Sequence, residues 1–66
     1  MIIMLNGEEH TLKEGTTIAE LVAELGLKER RIAVEVNRDI ISREEYATTE
    51  LHYRDVVEIV HFVGGG

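Results

Sequence analysis

The chain has 66 residues, 44% of them hydrophobic, thirteen acids against seven bases for a formal net charge of −6, and no cysteine. Single domains run from about 50 to 250 residues, so this is one domain with one core. The composition excludes a disordered chain, a disulfide framework and a zinc–thiolate site, and it argues against nucleic acid or an anionic membrane as partner. No apolar run approaches the roughly 20 residues of a transmembrane helix, and no basic-then-apolar leader opens the chain. A cytoplasmic protein is the expectation, and the absence of cysteine is compatible with it.

Met1 to Leu5 is a short apolar run of strand length. Asn6-Gly7 follows, a dipeptide whose two residues both tolerate the positive φ of a tight hairpin turn. Glu8 to Leu12 is the expected return strand, polar enough for a sheet edge. Lys13 to Thr16 reads as a loop. Thr17 then caps a helix, and Glu20 three residues on completes a capping box. Ile18, Leu21, Val22 and Leu25 fall at i, i+3, i+4 and i+7 and form one apolar stripe, while Glu20 and Glu24 face away. Gly26 stands where a helix ends in a left-handed residue. A helix of about two and a half turns is not stable alone and needs a sheet to lie on.

Lys28 to Arg31 is a charged connection. Ile32 to Asn37 alternates at period two, with Ile32, Val34 and Val36 on one face. Asn37-Arg38 marks a turn, Asp39 to Ser42 a short strand, and Arg43 to Tyr46 a single helical turn. Leu51 is an isolated core candidate. Val56 to Val60 is the last strand, continued by Phe62 and Val63, and the sequence closes on Gly64-Gly65-Gly66. The order β-β-α-β-β-β is that of an α+β β-grasp, or ubiquitin-like, fold. It is a mixed sheet of four to five strands around one main helix, with the first and last strands parallel at its centre. The expected division is a β-grasp domain over residues 1–63 and a flexible glycine tail over 64–66.

Few residues carry chemistry of their own. His10, His52 and His61 lie on separate elements without the i, i+4 spacing of a helical metal pair, so no metal site is expected. There is no phosphate-binding glycine loop, and Ser42 has no neighbouring base. Glu8-Glu9 and Glu44-Glu45 are adjacent pairs, and adjacent residues do not share a face. No catalytic residue is expected among them.

The glycine tail stands apart. Three glycines cost the most conformational entropy to order and stabilise nothing. At about 3.3–3.6 Å per residue, Val63 to Gly66 reaches about 13 Å beyond the sheet. A slim, Cβ-free segment fits a narrow tunnel in another protein and delivers a carboxylate there. Frayed terminal residues and a linker scar are the competing readings. Position directly after a β-grasp order of elements favours the tunnel.

The sequence resembles the ThiS family, the small sulfur carriers of thiamin biosynthesis, along its whole length. The residues that carry the resemblance are Met1 to Gly7, Thr17 to Leu21, Ala33 to Asn37 with Ile40 and Arg43, and Val57 to His61 before Gly64-Gly65-Gly66. The chain departs from the family at Arg54, where similar proteins usually have a glycine. The resemblance implies a carrier whose terminal Gly66 is adenylated by a ThiF-like enzyme at the expense of ATP. Sulfur from a cysteine desulfurase then makes it a thiocarboxylate, and a ThiG-like thiazole synthase takes the sulfur. Gly64 and Gly65 would thread the partner's active site, and no cofactor would be bound by the carrier itself. Two alternatives stand beside this: a carrier like the molybdopterin-synthase small subunit, and a β-grasp module that binds partners non-covalently.

Alternation along the last strand places Val57 and Ile59 on the helix-covered face with Met1, Ile3, Leu5, Val34 and Val36. Glu58, Val60 and Phe62 then fall on the open face beside the tail. An exposed apolar patch there is the expected partner-docking surface.

Overall fold

The computed structural model describes residues 1–62. Val63, Gly64, Gly65 and Gly66, and with them the expected tail, lie outside the described residues. The elements run β1 (Ile2–Leu5), β2 (Glu8–Thr11), α1 (Ile18–Glu24), β3 (Ile32–Val36), β4 (Asp39–Ile41) and β5 (Val56–His61). Short 3-10 turns occupy Glu29–Arg31 and Arg43–Glu45. The sheet order is β2-β1-β5-β3-β4. The two hairpins are antiparallel, and β5 inserts between them, parallel to β1 and antiparallel to β3. This is the β-grasp arrangement, with the polar β2 on an edge.

Both hairpins turn on left-handed residues. Asn6 and Gly7 have φ of 50° and 84°, and Asn37 and Arg38 have 52° and 75°. Positive φ at both central residues matches the right-handed twist of the flanking strands. Helix α1 begins as its capping box requires. The Thr17 hydroxyl oxygen accepts from the Glu20 N–H at 3.2 Å, and the Glu20 carboxylate accepts from the Thr17 N–H at 2.9 Å. It ends in a Schellman motif on Gly26, whose φ is 73°. There the Leu27 N–H donates to Val22 O at 3.1 Å and the Gly26 N–H to Ala23 O at 3.0 Å.

The helix lays Ile18, Leu21 and Val22 onto the sheet residues Ile3, Val34 and Val57, all of them buried. Met1, Leu5, Leu25, Val36 and Ile59 pack around this centre, half-buried. Fully burying an aliphatic side chain of this size contributes about 1.5–3 kcal/mol. Leu51 joins the core, as do Leu12 and Tyr46. Tyr46 arrives there because the 3-10 turn Arg43–Glu45 swings it inward, and its carbonyl accepts from the Ala19 N–H at 2.9 Å. The segment after it is tied to the start of α1, with Thr49 O accepting from Ile18 N–H and Thr16 O from Leu51 N–H. Among the described residues no helix is long and apolar enough to cross a membrane.

Candidate functional site

The helix covers one face of the sheet and leaves the other open. Strand period two puts alternate residues of β5 on opposite faces. Val57 is 0% exposed and Val60 is 59% exposed, so the expected split is the observed one. Phe62, 60% exposed, follows on the open side just past the strand. Its backbone N–H donates to Arg31 O at 2.8 Å, which anchors the last described residue to the start of β3. Phe62 borders a hollow of about 290 Å³ at that end of the sheet, shared with Arg30, Ala33, Ile41 and Arg43. The structure therefore brings Val60 and Phe62 together at the root of the C-terminal segment.

Glu58 lies between them and the middle of the sheet, exposed on the same face. Directly across from it on β3 stands Glu35. Like charges facing each other across a sheet oppose its pairing. The two close histidine–carboxylate contacts among the described residues, His10–Glu24 and His52–Asp55, lie elsewhere. The open face thus carries an unneutralised acidic pair beside an apolar one, a surface suited to a partner with a basic group flanked by apolar side chains.

The patch extends further than alternation along β5 discloses. Met4 is the Cα partner of Val56 in the parallel pairing, so Ile2, Met4 and Val56 form a second apolar strip on the open face. Tyr53 and Arg54 stand at its rim, with the guanidinium carbon 5.8 Å from the Tyr53 ring centroid. These residues come from both ends of the sequence, and only the β1–β5 pairing joins them.

Two further groups take their roles from the structure. Burial pushes the Tyr46 hydroxyl above its usual pKa, and the Glu29 carboxylate adds to the rise. The Asn6 amide leaves its hairpin turn to reach β5. Its Oδ1 accepts from Ile59 N–H at 2.8 Å, and its Nδ2 donates to Ile59 O at 3.3 Å. The histidines stay apart. His10 Nε2 is 3.4 Å from Glu24 Oε1, and His52 Nδ1 is 3.9 Å from Asp55 Oδ2. Among the described residues no three His, Asp or Glu side chains gather as a metal site. Gly64, Gly65 and Gly66, the expected threading and modified residues, lie outside the described residues.

A five-stranded sheet grasping one helix, with a run of glycines after β5 in the sequence, defines the ubiquitin-like class. Comparison with known proteins narrows it. Residues 3–66 match the ThiS family, and the chain belongs to that family. It is 47% identical to the sulfur carrier protein ThiS of Bacillus subtilis (strain 168), over 98% of this chain and 100% of that one. It is 44% identical to a thiazole synthase of Magnetococcus marinus, over 100% of this chain but only 20% of that protein's length. The chain thus spans about a fifth of the thiazole synthase that it matches. The crystal structure of the thiamine biosynthesis protein ThiS from Geobacter metallireducens superimposes with a TM-score of 0.85 at 30% identity, covering 100% of both chains.

Proposed function

We propose that the chain is a sulfur carrier for thiazole formation, a protein co-substrate with no catalytic residue of its own. The observation that carries this reading is the match along its length to a named sulfur carrier. The thiazole synthase relative supports thiazole, rather than molybdopterin, as the destination of the sulfur. In this reading the Gly66 carboxylate attacks the α-phosphate of ATP in a ThiF-like enzyme. An acyl-adenylate forms and pyrophosphate leaves. The terminal sulfur of a desulfurase persulfide then displaces AMP, and a thiol reduces the resulting acyl disulfide to the thiocarboxylate. A ThiG-like synthase accepts the sulfur. The chain has no cysteine to attack its own activated acyl group, which leaves the adenylate for an external sulfur.

Val60, Phe62 and Glu58 form the docking patch of this carrier, extended by Glu35 and the strip of Ile2, Met4 and Val56. The apolar groups supply area, and the acidic pair fixes which partner surface is accepted. Gly64 and Gly65 thread the partner's tunnel.

Exchange of labelled pyrophosphate into ATP tests the reading. Wild type with the adenylating enzyme supports exchange. Deleting Gly66, or adding one residue after it, shifts the carboxylate by about 3.5 Å. Both abolish exchange, since about 1 Å of misplacement costs on the order of 100-fold in rate. Gly65→Val keeps the length but blocks a tunnel shaped for hydrogen, with the same result. Full exchange by the Gly66 deletion contradicts the proposal.

A further inference from the structure

Strand β1 ends at Leu5, whose Cα partner on β5 is Val57. One more ladder bond follows, from Asn6 N–H to Val57 O at 2.9 Å. The chain then turns away through Asn6 and Gly7, in left-handed conformation at both residues. Strand β5 continues to His61. Backbone groups alternate along a strand, so those of Ile59 face β1 as those of Val57 do. Without a partner they would be a bare edge in the middle of the sheet.

The Asn6 side chain fills that place. A primary amide offers one acceptor and a donor group in a plane, as a peptide unit does. Its Oδ1 takes the Ile59 N–H at 2.8 Å and its Nδ2 reaches the Ile59 carbonyl at 3.3 Å. The side chain stands in for the next residue of β1 and lengthens the ladder by one step. Among the described residues this is the last tie of β5 on its β1 side. On the other side the last tie is Phe62 N–H to Arg31 O at 2.8 Å. The two ties bracket the final strand residues, Val60 and His61, from which the C-terminal segment departs.

We infer that Asn6 is a positioning residue: its amide clamps Ile59 and so fixes the end of β5 from which the reacting terminus is presented. The inference deepens the carrier reading and rests on it. A carboxylate seven residues beyond Ile59 must arrive at one phosphorus atom. A strand end held at Ile59 narrows the range of starting points from which the carboxylate sets out. Docking is a separate matter, because Val60 and Phe62 bind through their side chains whereas Asn6 holds a backbone unit of β5. Loss of the clamp therefore leaves docking intact and lowers the fraction of docked complexes with the tail in place.

Two variants separate the clamp from the turn. Asn6→Gly keeps a residue that accepts positive φ and removes the amide. Asn6→Asp also tolerates that conformation and still accepts the Ile59 N–H, but cannot donate to its carbonyl. Three readouts are compared with wild type: thermal unfolding, amide hydrogen exchange of Ile59, and steady-state pyrophosphate exchange with the adenylating enzyme. In Asn6→Gly the Ile59 amide exchanges at least about tenfold faster, as expected of a locally opened edge. Its kcat falls at least about tenfold with KM unchanged. Asn6→Asp recovers part of both. A wild-type kcat in Asn6→Gly, or a change confined to KM, overturns the role of Asn6 while wild-type exchange leaves the carrier reading standing. A kcat loss that Asn6→Asp leaves unrecovered although Ile59 protection returns also overturns it. Absence of exchange in wild type overturns both readings together.

Discussion

Asn37 donates through Nδ2 to Asp55 Oδ1 at 2.9 Å, joining the β3–β4 turn to the turn that launches β5. The same amide accepts the Val56 N–H at 2.9 Å, and the second Asp55 oxygen accepts the His52 N–H at 2.7 Å. Asp55 N–H closes the turn on His52 O at 3.0 Å, and Arg54 N–H donates to Ile2 O at 2.7 Å. Held from both sides, Arg54 sits at φ 69°. That is the third position of a turn whose geometry favours glycine. An arginine thus holds, under left-handed strain, a turn position that favours glycine.

Arg54→Gly is accordingly expected to stabilise the protein. Relief of left-handed strain is worth about 1–2 kcal/mol. The extra freedom of an unfolded glycine and the lost contact with Tyr53 return part of that. A net gain of about 0.5–1 kcal/mol raises the melting temperature by roughly 3–6 °C in a domain of this size. A thermal melt checks it, and an unchanged or lower midpoint contradicts the strain argument.

Leu21→Ala probes the core. Leu21 is 0% exposed on the face of α1 that meets the sheet. Truncation costs about 2–5 kcal/mol. A domain this small has a net stability of only about 3–5 kcal/mol. Circular dichroism at 25 °C is expected to show a largely unfolded chain. A melting temperature equal to wild type contradicts the assignment of Leu21 to the core.

What was legible in the sequence was local. The stripe of Ile18, Leu21, Val22 and Leu25, its capping box and Gly26 all lie within a few turns of one another, and the helix follows them residue by residue. Leu12 and Tyr46 gave no such signal. Leu12 ends a polar strand, and Tyr46 follows a charged run, so neither belongs to an apolar period. The open face was half legible. Alternation along β5 exposes Val60 and Phe62, but Ile2 and Met4 join them only through pairing between the two ends of the chain. The Asn6 clamp spans 53 residues and is invisible to any local pattern. The turn signal at Asn6 concerns its backbone, and its side chain does something else.

Phe62→Ala separates docking from folding. Phe62 is 60% exposed and held by its backbone rather than its ring. Its removal is expected to leave the melting temperature within a few degrees of wild type. Aromatic anchors of interfaces carry about 2 kcal/mol or more, so affinity for the adenylating enzyme falls roughly 30-fold or more. Calorimetric titration of both proteins measures this. Equal affinities, or a marked loss of stability, contradict the patch.

Tyr46 gives the fold an alkaline limit. Its folded pKa is raised above 10.0, first by burial and then by Glu29. A raised folded pKa means that the native state holds the proton more tightly than the unfolded state. The stability it contributes is full below the unfolded value and is lost as pH rises through the folded one. Denaturant midpoints are expected to fall from about pH 10 upward. In Tyr46→Phe that fall is smaller. Identical alkaline profiles contradict the assignment.

The carrier reading stands or falls on sulfur at Gly66. Intact mass spectrometry of the protein from its native host, followed by fragmentation, detects it. A fraction in which one oxygen is replaced by sulfur is expected, with the change confined to the fragment holding Gly66. This fraction is expected to disappear when the adenylating enzyme is deleted. Protein with no sulfur-bearing fraction in cells making thiamin, or with sulfur on any other fragment, contradicts it.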